Sequence, residues 1–251
     1  TVGSLWESPF APYQHQYDCW NTLLNKSIEI DGEKKPMSVC VTTGTGSGKT
    51  ECFMMPLVYD LANNYQKGQI QAIFLYPLNA LMEDQKERLE KMLDNIEKYT
   101  GVNLTYTVYN GDLPDDVPSA DDHSDDAERT RRKIDMIRGL ITNSKGQPIL
   151  DVDGNKQYKY KRMVYTRKDV RKKDAAPNIL LTNPTMLEYI LLRKSDENLI
   201  DPDKKSLRWV AIDETHTYTG AGAAELAMLL RRVMLAFGMD AKDVRFATSS
   251  A

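Results

Sequence analysis

Residues 39–51 read VCVTTGTGSGKTE. An apolar, β-branched run passes into a loop with glycine at 44, 46 and 48, then into Lys49-Thr50 at the head of a helical pattern. The glycines let backbone N–H groups turn inward around a phosphate, and a helix N-terminus adds its positive dipole end. Lys49 is placed to reach β- and γ-phosphates, and the Thr50 hydroxyl to bind Mg2+. The strict pattern G-x-x-x-x-G-K-[ST] has Thr43 at its first position here, a residue small enough to permit the turn. Thr45, Gly46, Ser47, Gly48, Lys49 and Thr50 are the residues expected around the phosphates. Such a loop belongs at the carboxyl end of a parallel strand, so the rest of the chain has to supply the sheet.

Strand candidates follow at 37–43, 71–77, 102–109, 178–182, 207–213 and 244–249. Helical stretches at 50–66, 78–98, 184–193 and 222–237 lie between most of them. Several strands are almost continuously apolar, which suits a parallel sheet covered on both faces. Alternation of this kind predicts an α/β doubly wound fold, with ligands at the carboxyl ends of the strands. The polar clusters fall at those ends: after 43, 76, 109 and 182, and at 213.

A second strand end completes the chemistry. In WVAIDETHTYTG (209–220) the buried run stops at Asp213, Glu214 and His216. Hydrolysis at a phosphate loop needs an acid for Mg2+ and a base for water, both fixed on a rigid element. Asp213 is expected to hold Mg2+ and Glu214 to orient and deprotonate the water. Lone histidines near turns are more often structural, and the place of His216 directly after Asp-Glu-Thr is what raises it.

Composition sets the frame. The 251 residues are 41% hydrophobic and 27% charged, an ordinary globular balance. A net charge of −3 announces no polyanion partner for the chain as a whole, so local charge decides. Cys19, Cys40 and Cys52 have no metal-ligand spacing, which argues against a disulfide framework and for a cytoplasmic setting. No apolar run is long enough to span a bilayer, so no membrane partner is expected. The two termini read as cuts in a longer chain.

Residues 113–176 break the rhythm, being too long for a connection inside a compact domain. The stretch opens acidic, with seven aspartates across 112–126. A helix pattern with Ile134, Ile137 and Ile141 follows, then a hairpin pattern with Asp153-Gly154 at its turn, then a basic end. It is expected to be a partly ordered insertion: a helix plus a basic β-hairpin. The run 156–173 interleaves Tyr158, Tyr160 and Tyr165 with nine Lys or Arg. That pattern suits a nucleic-acid surface with stacking rings, for which Lys159, Lys161 and Arg162 are the candidates. A solvated hairpin face, or a plug paired with the acidic stretch, stays open.

Asp213-Glu214-Thr215-His216 resembles the DEAD/DEAH-type box of superfamily 2 helicases. Other stretches resemble that family's motifs in order: PYQHQ (12–16), TTGTGSGKT, LYPLNALMEDQ (75–85), YNGDLP (109–114), LLTNPTMLEYILLR (180–193) and the terminal TSSA. Within the superfamily the chain is most similar to the Lhr/MrfA-like group of large DNA helicases. Some very large members of that group belong to bacterial antiphage systems of the Druantia and DISARM type. The resemblance covers 12–112 and 177–251; the departures are Thr215 and Thr219, where Ala and Arg are usual.

The resemblance implies a first RecA-like P-loop NTPase domain over 1–251. Its cofactors are ATP and Mg2+, with Tyr13 and Gln16 reading the adenine. It further implies a second RecA-like domain elsewhere in the full chain, whose arginine fingers are worth about 10³–10⁵ in rate. This chain alone is therefore expected to turn ATP over very slowly, with His216 coupling the site to that second domain. Single-stranded or tailed duplex DNA is the expected partner, gripped by its backbone at strand ends and helix starts. Pro77, Asn79, Gly111, Thr182 and Asn183 are the residues chosen there, and defence-system proteins are further expected partners. An RNA helicase and an ATP-gated nucleic-acid sensor without strand separation stay open as alternatives.

Overall fold

The computed structural model describes residues 11–44 and 46–250. Helix α1 (Gln14–Asn25) leads into a hairpin of β1 (Ser27–Ile30) and β2 (Glu33–Pro36). Then come β3 (Val39–Thr42), α2 (Lys49–Asn63), β4 (Ala72–Leu75), α3 (Asn79–Thr100) and β5 (Tyr106–Tyr109). After α4 (Asp125–Ile137) and α5 (Arg167–Val170) follow β6 (Ile179–Thr182), α6 (Pro184–Leu192), β7 (Trp209–Ile212), α7 (Ala221–Ala236) and β8 (Arg245–Ser250). The main sheet has the order β3-β8-β7-β4-β6-β5, and every pairing is parallel.

Each strand expected from the sequence is present. The α/β fold with helices on both faces follows from the register. Phe74, Leu181 and Ala211 pack with Phe53, Leu57, Leu89 and Leu93 of α2 and α3. Their strand neighbours Ile73, Leu180 and Val210 pack on the opposite face with Leu187, Ile190, Leu229 and Val233 of α6 and α7. Successive side chains of a strand point to opposite faces, so residues buried on both read as unbroken apolar runs. Burying one Leu or Phe contributes about 1.5–3 kcal/mol.

The β1–β2 hairpin has no counterpart among the strand candidates. Asp31 (φ 55°) and Gly32 (φ 78°) form its two-residue turn. Asp-Gly is the pair that such a turn selects, so the signal was present in IEIDGEKK. At the amino edge of the main sheet, Asp60 of α2 accepts two bonds from Arg208 and one from Trp209 Nε1, each 2.8 Å. Burial pushes the Asp60 carboxyl up, but the Arg208 and Trp209 hydrogen bonds outweigh it and hold it below the usual carboxylate range. All three cysteines are free thiols. No helix of the described residues is long and apolar enough to cross a membrane.

In 113–176 regular structure is sparse beyond α4 and α5. The expected hairpin about Gly154 is present as an isolated bridge, Leu150 with Lys156, and a third segment joins it to close a small ring. Ile141 N donates to Gln157 O, Gln157 N to Ile149 O, and Ile149 N to Ile141 O, each 2.9 Å. Gly154 does sit in a turn, held by Asp151 Oδ1, which accepts from Asp153 N and Asn155 N.

The tyrosines and Arg162 of the basic run are engaged within the molecule, which corrects the reading of Arg162 as a phosphate contact, whereas Lys156, Lys159, Lys161, Lys168, Lys172 and Lys173 stay exposed. The Arg138 guanidinium lies between the rings of Tyr158 (3.7 Å) and Tyr165 (4.2 Å), and Lys86 Nζ lies 4.7 Å from the centre of the Tyr160 ring. Arg162 is an internal fastener rather than a phosphate contact: it pairs with Glu90, Asp94 and Glu97 along α3. Its own N–H and that of Lys161 donate to Glu90 Oε1. The side chains of Lys159 and Lys161 remain exposed. The basic end also meets the acidic stretch, through Arg167 with Asp115 and Lys168 with Asp116.

Candidate functional site

Parallel pairing puts the polar end of every main-sheet strand on one edge, and strand order sorts those ends into two groups. Strands β3, β8 and β7 bring together the glycine loop, Ser249 and Asp213-Glu214. Strands β4, β6 and β5 bring together Pro77, Asn183 and Gly111.

In the first group the loop leaves β3 at Thr43. Gly46 (φ 76°) and Gly48 (φ 72°) take left-handed conformations that other residues adopt only with strain. A Cβ on Gly48 would lie 2.4 Å from Gln16 Nε2, whereas at Gly44 and Gly46 nothing is within 4 Å. The loop backbone is therefore open on one side and pressed against α1 on the other. Lys49 Nζ donates back to Thr43 O at 2.8 Å, and the Thr43 and Ser47 hydroxyls are 2.5 Å apart. Thr45 lies outside the described residues.

Helix α1 reads the loop from behind. Gln16, almost fully buried, donates to Gly48 O at 3.2 Å and accepts from Tyr13 N at 2.9 Å. Tyr13 is 63% exposed and stacks on His15, whose Nε2 lies 3.0 Å from Ser47 O. Because the partner is a carbonyl, Nε2 carries the proton. His15 is absent from the residues chosen by sequence; its one signal was its place between Tyr13 and Gln16.

Across the edge, Asp213 is 8% exposed, and Lys49 and Thr50 are 9% exposed each. Asp213 Oδ1 accepts from Ser249 Oγ and from Glu214 N. Glu214 holds a left-handed backbone at φ 51°, a local strain of the kind stored at functional sites. Its Oε2 is 3.2 Å from His216 Nδ1. Thr215 gains a physical account: its hydroxyl donates to Ser249 O at 2.8 Å, tying the box to β8. An alanine there could make no such bond. Thr219 is exposed, and nothing in the structure explains it.

The second group lines an open cleft of about 480 Å³ that includes Pro77, Gly111, Asn183, Pro184, Thr217 and Tyr218. Helix α3 starts at Asn79 behind Leu78, which offers no side-chain cap to its first N–H groups. The side chain of Asn79 lies outside the described residues. Asn183 Oδ1 accepts from Met186 N at 2.8 Å, capping α6, with Pro184 at its first turn. Thr182 is a correction. It is fully buried and its hydroxyl donates to Tyr109 O at 2.7 Å, so it braces β6 against β5 and does not face the cleft. Tyr218 joins the cleft unforeseen. Its hydroxyl is buried with no hydrogen-bond partner among the described residues, and burial pushes its pKa up.

The donor set fits a nucleotide with a hydrated divalent cation. The open backbone at Gly44 and at Gly46 would cradle phosphate, Lys49 would neutralise it, and Thr50 and Asp213 present hard oxygens at a nearly buried position. Asp213 Oδ2 has no hydrogen bond among the described residues.

A model of the DEAD/DEAH box helicase family matches residues 13–143. The chain is 25% identical over 298 residues to the Druantia protein DruE of Escherichia coli (strain UMEA 4076-1), covering 96% of this chain and 16% of that protein. It is 24% identical over 241 residues to the uncharacterized ATP-dependent helicase YprA of Bacillus subtilis (strain 168), covering 95% and 22%. The chain thus spans less than a quarter of the length of either relative. A crystal structure of the DUF1998 helicase MrfA bound to DNA and AMPPNP superposes with a TM-score of 0.55 at 23% identity, covering 95% of this chain and 24% of that one. At that identity the likeness establishes the shared RecA-like fold.

Proposed function

This chain belongs to the DEAD/DEAH box helicase family, and from that premise we propose that it is the ATP-hydrolysing first motor domain of a DNA translocase. The observation that carries this reading is the sheet order. It sets Lys49, Thr50, Asp213 and Glu214 together at one edge, beside a cleft built from strand ends and helix starts. Tyr13 and Gln16 read the adenine, and the glycine loop with Lys49 binds the phosphates. Thr50 and Asp213 hold Mg2+, which supplies charge neutralisation at the transferred phosphoryl group. Glu214 takes the proton of the attacking water, and His216 sets the orientation of Glu214. Pro77, Asn79, Gly111 and Asn183 line the path of the strand.

DNA rather than RNA is supported by the MrfA complex and by the resemblance to the large DNA helicases. A role in antiphage defence, with partners from such a system, is supported by the likeness to the Druantia protein, and a cytoplasmic setting by the free cysteines. Residues 113–176 are an insertion in this domain, and a second RecA-like domain of the full protein supplies the arginine fingers. The chain alone binds ATP·Mg2+ weakly and turns it over slowly. ATP turnover measured with single-stranded DNA, with RNA and with neither tests the reading on the full protein. Stimulation by DNA is expected. Stimulation by RNA alone would make it an RNA helicase, and nucleotide binding without stimulated turnover would make it an ATP-gated sensor. Robust DNA-stimulated turnover by this chain alone would remove the need for a second domain.

A further inference from the structure

Tyr76 follows β4 directly, on the strand where the two groups of the sheet edge meet. Leu75 pairs with Ile212, so the next residues along, Tyr76 and Asp213, lie side by side on the same face. That face is the one packed by α2 and α3, and the Tyr76 ring stacks there on Phe74 at 6.3 Å. Tyr76 is fully buried, and its hydroxyl has no hydrogen-bond partner among the described residues. Burial, then the Asp213 charge, pushes its pKa well above the usual phenol value, with Arg88 opposing. An unmet buried hydroxyl costs about 1–3 kcal/mol, and phenylalanine would fill the same space without that cost. The hydroxyl therefore needs a use outside the packing. Asp213 offers one: Oδ1 is held by Ser249 and Glu214 N, whereas Oδ2 has no donor.

We propose that Tyr76 is a positioning residue for Asp213, its hydroxyl being the donor that fixes Oδ2 when the carboxylate holds a hydrated divalent cation. This rests on the ATP·Mg2+ reading above. Two other buried acceptors without partners, Glu51 Oε2 and Gln85 Oε1, belong to the same seam between α2 and α3, where Arg88 bonds Glu51 at 3.0 Å. A role confined to that seam would alter stability and leave the cation requirement alone.

The test is a Mg2+ titration of fluorescent ATP-analogue binding, with melting temperatures, for the unsubstituted chain, Tyr76→Phe, Asp213→Asn and the double variant. Tyr76→Phe is expected to melt higher and to need about 10-fold more Mg2+ at half-saturation, the usual lower bound for losing a partner of a metal ligand. Binding without Mg2+ should hold, and in the Asp213→Asn background Tyr76→Phe should shift nothing further. An unchanged Mg2+ midpoint for Tyr76→Phe, or an equal shift in both backgrounds, overturns the proposal. If the unsubstituted chain shows no Mg2+-dependent binding at all, the ATP reading itself falls and this one with it.

Discussion

The two halves of the sheet edge are built differently. On β3, β8 and β7 the polar side chains are pinned in place: Lys49 by Thr43 O, Gln16 by Gly48 O, Thr215 by Ser249 O, and Asp213 by the Ser249 hydroxyl. On β4, β6 and β5 the cleft is made of prolines, a glycine and helix starts, with Asn183 capping α6. Phosphoryl transfer needs particular atoms held in place, whereas gripping a sugar-phosphate chain needs outward N–H groups and room. Substitutions should therefore act sharply on the first half and diffusely on the second.

The largest effect that contrast predicts is at Glu214. Glu214→Gln keeps the shape and removes the proposed base, so single-turnover hydrolysis should fall about 10²–10⁴-fold while nucleotide binding holds. Hydrolysis at the parent rate would move the base elsewhere. Next comes Arg162→Ala, which leaves Glu90, nearly buried, without its cation. A loss of about 3 kcal/mol in denaturant unfolding is expected, with DNA affinity unaltered. Reversing the exposed Lys159 and Lys161 is the paired measurement: a salt slope smaller by about 1 per residue would bring the insertion into the second half, and an unchanged slope would keep it out.

Gly48→Ala should cost about 1–3 kcal/mol from its left-handed backbone, and weaken nucleotide binding as the new methyl displaces Gln16. Thermal melting with and without nucleotide reads both. The smallest effect is a slope at the opposite edge. The folded Asp60 carboxyl sits below its unfolded value of about 3.9. Its contribution is complete above that value and is lost as pH falls through the folded one. Melting temperature should drop more steeply below pH 4 in the parent than in Asp60→Asn; parallel curves would show that Asp60 contributes no acid sensitivity.

The strands and the phosphate loop were legible because burial on both faces and a glycine cradle each leave one pattern of letters. The place of Asp213 and Glu214 at the end of β7 was legible because the apolar run stops at them. What composition could not tell was where a charge or ring finds its partner. Arg162 and the tyrosines of 158–165 look like a nucleic-acid surface until α3 supplies three carboxylates and Arg138 and Lys86 supply the cations. Thr182 looks like a phosphate ligand until its strand position turns the hydroxyl onto Tyr109. His15 and Thr215 act on carbonyl oxygens of Ser47 and Ser249, and main-chain partners leave no trace in a sequence.

A hydrogen-bonded sheet is also a ruler. Neighbouring strands stand about 4.8 Å apart, and β4 is the single strand between β7 and β6. The roots of Asp213 and Asn183 are therefore about 10 Å apart, close to the rise of three stacked base pairs at about 3.4 Å each. No rotation of a side chain can change that interval. Ligands held at these two strand ends are spaced by a length already written in the backbone.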